Sequence, residues 1–150
     1  YYKARDLNPT DPIPHVQLAL LMEATGRSQQ ARPIYEQALK LQPDNPIALN
    51  NLAFLLVESG TDLDQALTYA QRAKQKLPND PNVADTLGWI YIRKNLSDNA
   101  IQIFEDLISK HPGNSLYRYH LAMALYENLI RPVNHDFGYL GIVHKLLKRA

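Results

Sequence analysis

The sequence predicts an all-α solenoid built from antiparallel helix pairs, and three observations carry that prediction. Pro9, Pro43, Pro78 and Pro112 lie 34, 35 and 34 residues apart. Three residues after each stands Pro12, Pro46, Pro81 or Ser115, preceded in turn by Asp11, Asn45, Asp80 or Asn114. Between these marks, apolar and small residues recur at offsets of three and four, the spacing of one helical face. A chain that restarts a helix at near-constant intervals is a repeat array, in which each unit packs on its neighbours.

The elements follow in order. An Asp or Asn side chain accepts free N–H groups at a helix start, and proline fits the first turn, where no N–H is needed. The earlier proline of each pair cannot continue a helix and closes the one before it. First helices are therefore expected to start at Pro12, Pro46, Pro81 and Ser115. Gly26, Gly60 and Asn95 are expected to end the first three, since these residues best tolerate a left-handed backbone. Ser28, Asp62 and Ser97 are the candidate caps of the second helices. Ala19, Ala53, Gly88 and Ala122 form one column of small residues, and Ala31, Ala66 and Ala100 form another. Small residues let helix axes approach closely, and larger ones there would overpack the contact. One extra residue lies between Gly60 and Ala66 relative to Gly26 and Ala31, where a turn absorbs it. The expected boundaries are an incomplete repeat ending over 1–9, repeats over 12–45, 46–80 and 81–114, and a divergent repeat with a closing helix over 115–150.

The third unit reads Ala84-x-x-Leu87-Gly88-x-x-Tyr91, Ala100-x-x-x-Phe104, Pro112. The first reads Leu18-Ala19-x-x-Met22, Ala31-x-x-x-Tyr35-x-x-Ala38, Pro43. These strings resemble the tetratricopeptide repeat (TPR), whose pattern is W-x-x-L-G-x-x-Y, A-x-x-x-F, P over ~34 residues. The resemblance covers about residues 1–127 and implies a right-handed superhelix. Tyr1-x-x-Ala4-x-x-Leu7-x-Pro9 matches Tyr35-x-x-Ala38-x-x-Leu41-x-Pro43, so the chain is expected to open inside a second helix. After Glu127 the pattern lapses. Phe137, Leu140, Val143 and Leu147 form a helical stripe, read as a closing helix over 137–149. A looser similarity joins the strings around Asn50 and Trp89 to long bacterial TPR proteins linked to exopolysaccharide export and protein sorting.

Composition bounds the function classes. A formal charge of +1 with 21% charged residues gives no basic surface for a phosphate backbone, which argues against nucleic-acid binding. With no cysteine, thiol chemistry and disulfides are excluded within the segment. No apolar run approaches the ~20 residues of a membrane span. The five histidines, His15, His111, His120, His135 and His144, form no H-E-x-x-H, and no two of them stand at i, i+4 with a carboxylate nearby. Surface or capping roles are expected of them. Neither a phosphate loop nor a G-x-S-x-G elbow occurs, and Asp62-x-Asp64 lacks the remainder of a calcium loop. No catalytic, cofactor or metal site is expected.

In the family resembled, first helices line a concave groove where peptide partners lie. The residue after the small column is Leu20, Phe54, Trp89 and Met123, large and apolar in every unit. One turn before it come Val16, Asn50, Asp85 and Tyr119; about one turn after it come Glu23, Val57, Ile92 and Tyr126. The expected protein-binding residues are Leu20, Asn50, Phe54, Asp85, Trp89, Ile92, Tyr119, Met123 and Tyr126. Aromatics with polar tips suit a half-wet binding surface. The family's carboxylate-clamping positions correspond to Val16, Leu20, Asn51, Asn82 and Thr86, of which only Asn51 fits, so an apolar or amphipathic peptide is the expected ligand. The function expected is a protein–protein interaction scaffold with an assembly role in a bacterium, in cytoplasm or periplasm. Self-association, or service as the accessory arm of a larger enzyme, is the alternative.

Overall fold

The computed structural model describes Lys3 and residues 8–130. Apart from Lys3, the helical turns expected over 1–7 lie outside the described residues. So does the closing helix expected over 137–149, with His135 and His144. Among the described residues there are seven α-helices and no strand: α1 Pro12–Ala24, α2 Ser28–Leu41, α3 Pro46–Ser59, α4 Leu63–Lys76, α5 Pro81–Arg93, α6 Ser97–Lys110 and α7 Ser115–Ile130. They fall into two compact units, residues 1–78 with α1 to α4 and residues 79–150 with α5 to α7.

Helix starts are set by the residues the spacing singles out. Asp11 accepts from the Ile13 N–H at 2.9 Å and Asn45 from the Ala48 N–H at 3.0 Å. Asp80 accepts from Asn82 and Val83, at 2.8 and 3.2 Å, and Asn114 from Leu116 at 3.0 Å. Each satisfies backbone donors that the first turn leaves without a partner. Gly26, Gly60 and Asn95 turn the chain at the far ends with φ of 73°, 67° and 60°.

The second helices differ from expectation. Only Asp62 caps, accepting from the Gln65 N–H at 3.0 Å. Ser28 and Ser97 are instead the first helical residues, behind Arg27 and Leu96, neither of which makes a side-chain cap bond. Each turn holds three residues, but Gly60 opens its turn whereas Gly26 and Asn95 stand in the middle of theirs. Thr61 moves Asp62 back into the capping position, whereas after Gly26 and Asn95 the helix begins one residue sooner.

Each unit encloses its own core. In the first, Leu18, Met22, Tyr35, Leu49, Leu52 and Leu56 are at most 1% exposed. In the second, Phe104, Leu107, Tyr117, Leu121 and Leu125 join one cluster, against which Trp89 and Met123 pack. Both small-residue columns are buried. Gly88 shows why one position must be small: a Cβ there would lie 2.6 Å from Cζ of Phe104, a ring that is itself fully buried. That is a close α5–α6 approach. On the first unit's second helices, Arg72 of α4 reaches back to the turn after α2, donating to the Pro43 carbonyl and to Asp44 at 2.6 and 2.8 Å. Lys76 adds a contact to Asp44 at 3.2 Å. Bonds from Arg72 and then Lys76 hold the Asp44 carboxyl below its usual range.

Candidate functional site

The first unit presents α1 and α3. Leu20 and Phe54 stand at equivalent positions on these helices and are 40% and 41% exposed. Asn50, one turn before Phe54, is 9% exposed and heads a chain of hydrogen bonds. Its Nδ2 donates to Asn51 Oδ1 at 3.1 Å, and Asn51 Nδ2 donates to the Tyr35 hydroxyl at 2.9 Å. Tyr35 in turn donates to the Glu23 carboxylate. Asn51, the one residue compatible with a carboxylate clamp, is thus engaged within the unit. Burial pushes the Tyr35 hydroxyl well up, and the bond to Glu23 and its charge push the same way against the opposing bond from Asn51. Burial also raises the Glu23 carboxyl, partly offset by the Tyr35 bond. Asn50 Oδ1 is buried and has no partner in the fold.

The second unit has a different character. Trp89 on α5 is half-buried, as is Met123 on α7, while Tyr119 and Tyr126 on α7 are 44% and 50% exposed. Ile92, in the same register as Tyr126, is buried in the core. Asp85, one turn before Trp89, meets His120 of α7, with Nδ1 to Oδ1 at 2.8 Å. The imidazole stacks on Trp89 with ring centroids 5.0 Å apart and interplanar angle 25°, and lies tilted to Phe104 and Tyr119 at 5.3 and 5.8 Å.

His120 is the residue that sequence reasoning missed. It was expected on the surface or at a cap, but it is half-buried inside an aromatic cluster. The available signal was its register: His120 directly follows Tyr119, the repeat equivalent of Asp85, and so falls on the helix face next to that column. His15 is buried, and its Nδ1 lies 3.0 Å from the Asp11 carbonyl at the start of α1. Among the described residues there is no group of three or more His, Cys, Asp or Glu able to hold a metal ion. No helix among them is long and apolar enough to cross a membrane.

Two family models described as tetratricopeptide repeat match this chain, one over residues 23–90 and the other over 86–114. The chain belongs to the tetratricopeptide repeat family. A TPR repeat-containing protein of Pseudomonas aeruginosa, PA4667, is 28% identical over 75 residues, which cover 50% of this chain and 13% of that protein. The chain therefore spans about an eighth of the length of that relative. Among solved structures, MamA from Desulfovibrio magneticus RS-1 is similar with a TM-score of 0.75 and 19% identity, over 93% of this chain and 75% of that one. YrrB, described as a TPR protein with an unusual peptide-binding site, has a TM-score of 0.73 and 17% identity, over 97% and 73%. At these identities the likeness is one of fold, an all-α solenoid of TPR helical repeats.

Proposed function

We propose that this TPR segment is a protein-interaction module whose first-helix faces bind an apolar or amphipathic peptide segment of a partner protein, in an assembly role. One observation carries the reading. Ten large hydrophobic residues are exposed among the described ones, and eight of them lie on first helices: Ile13, Leu20, Leu21, Ile47, Phe54, Leu116, Tyr119 and Tyr126. Only Leu41 lies on a second helix, and Leu96 lies in a turn. Packing between helices would have buried such side chains, and apolar surface gathered on one class of helix marks an interaction site. The peptide-binding site reported for YrrB supports the same reading by likeness of fold.

The anchors proposed are Leu20 and Phe54 in the first unit, and Trp89, Met123, Tyr119 and Tyr126 in the second. Asp85 and the Asn50 edge would orient a partner backbone, while Ile92 would support the surface from beneath. Selecting a displayed library of random peptides on the chain tests this. Apolar or amphipathic peptides should be enriched, and Phe54→Asp or Trp89→Ala should abolish their capture while the helical content is kept. Enrichment that is indifferent to both substitutions would overturn the reading.

A further inference from the structure

The two units present their central anchors in different ways. Phe54 and Trp89 stand at the same repeat position, directly after the small column. Phe54 is 41% exposed and meets no other aromatic ring among the described residues. Trp89 is half-buried, and the His120 imidazole covers its indole at a centroid distance of 5.0 Å and an interplanar angle of 25°. That is an offset stack, an arrangement aromatic pairs prefer. The imidazole is itself held from several sides. Its Nδ1 lies 2.8 Å from Asp85 Oδ1, one turn before Trp89 on α5, while Phe104 of α6 and the adjacent Tyr119 flank the ring at 5.3 and 5.8 Å. With its side chain only 12% exposed, His120 is wedged between three helices rather than lying on the surface. In the first unit the same position is Asn51, which bonds to Tyr35 and Asn50 and leaves Phe54 without such a support.

From this arrangement we infer that His120 is a positioning residue, whose wedged ring fixes the Trp89 indole in the pose that a partner's apolar segment meets. The inference rests on the proposed function and divides its anchors into two kinds. Trp89 is set before the partner arrives, whereas Phe54 adapts to what binds. A binding side chain is held most firmly when the residues behind it are themselves locked by packing and hydrogen bonds. His120 meets that condition through Asp85, Phe104 and Tyr119. An anchor ordered in advance gives up less freedom on binding, which for one side chain corresponds to about two- to tenfold in affinity. His120 touches no partner; it acts through the indole.

Trp89 is the only tryptophan, so time-resolved fluorescence anisotropy of the unaltered protein reads its freedom directly. Exposed side chains change rotamer in picoseconds to nanoseconds, yet the half-exposed indole should show almost no fast rotation of its own. A large fast component would overturn the inference before any substitution is made. His120→Gln keeps a polar group for Asp85 but removes the flat ring. It should release the fast rotation and weaken a selected apolar peptide by about two- to tenfold. His120→Phe restores a ring that Phe104 and Tyr119 can still pack, and should recover the restraint and most of the affinity. A merely structural role gives another pattern, in which affinity follows the denaturant midpoints of the three proteins and not the freedom of the indole. That pattern, or full affinity in His120→Gln with a loosened indole, would sink this inference and leave the proposed function standing. Failure to select any apolar peptide on the unaltered protein would remove both.

Discussion

Gly88 and Glu23 show how single side chains set the fold's tolerances. At Gly88 even a methyl group would meet the buried Phe104 ring at 2.6 Å, whereas nothing lies within 4 Å of a Cβ at Gly113. Gly88→Ala should therefore cost ~1–3 kcal/mol through overpacking, and Gly113→Ala should leave denaturant midpoints almost unmoved. Equal losses at the two sites would show that α5 and α6 do not touch at Gly88. Glu23 makes a pH prediction. Burial raises its carboxyl pKa above the ordinary 4.5, so between that value and the raised one the folded chain holds the proton more tightly than the unfolded chain. The stability it contributes is then fully present below 4.5, falls as pH rises through that window and is lost above it. Glu23→Gln keeps an acceptor for Tyr35 and removes the titration. Melting temperatures from mildly acid to neutral pH should lose this slope, and an unchanged profile would assign it elsewhere.

At the scale of the helix, stability should follow which caps are made. Asp80 holds two backbone donors at the start of α5 and Asp62 holds one at α4. Replacing either by alanine should cost ~0.5–2 kcal/mol. Ser28 and Ser97 look like caps in the sequence, but each is already inside its helix. Ser28→Ala should be nearly silent. Ser97 is fully buried and its hydroxyl has no partner. Ser97→Ala should therefore be neutral or stabilising by up to ~1 kcal/mol, since it removes an unsatisfied polar atom. Chemical denaturation of the four variants tests the whole set, and a large loss in Ser97→Ala would reveal a bond that the fold depends on. The contrast was not read from the repeat pattern, because capping depends on whether one residue or two stand between the positive-φ residue of the turn and the helix.

For the molecule as a whole, repeat proteins divide their stability among units and the contacts between neighbours. Trp89 is the only tryptophan and lies in the second unit, while circular dichroism reports every helix. In Gly88→Ala, the fluorescence midpoint should fall further than the dichroism midpoint. Coincident transitions, both lowered equally, would mean that the chain unfolds as one block. Because Trp89 is half-buried, aqueous quenchers should reach it partially in the native state, between a free indole and a fully protected one.

First-helix starts and turns were legible in the chain because their causes are local. Proline lacks an N–H, Asp and Asn cap, Gly and Asn accept positive φ, and the 34-residue spacing follows from the placing of such residues. The candidate surface was legible only in part. Ile92 and Tyr126 share a register, yet one is in the core and the other is half-exposed. Asn50 and Asp85 share another, yet one heads a buried chain to Glu23 and the other meets His120. Register says which face of a helix a residue occupies. How deep that residue lies and what it bonds depend on the side chain a neighbouring helix places opposite, so the packing of helices within each unit decided it.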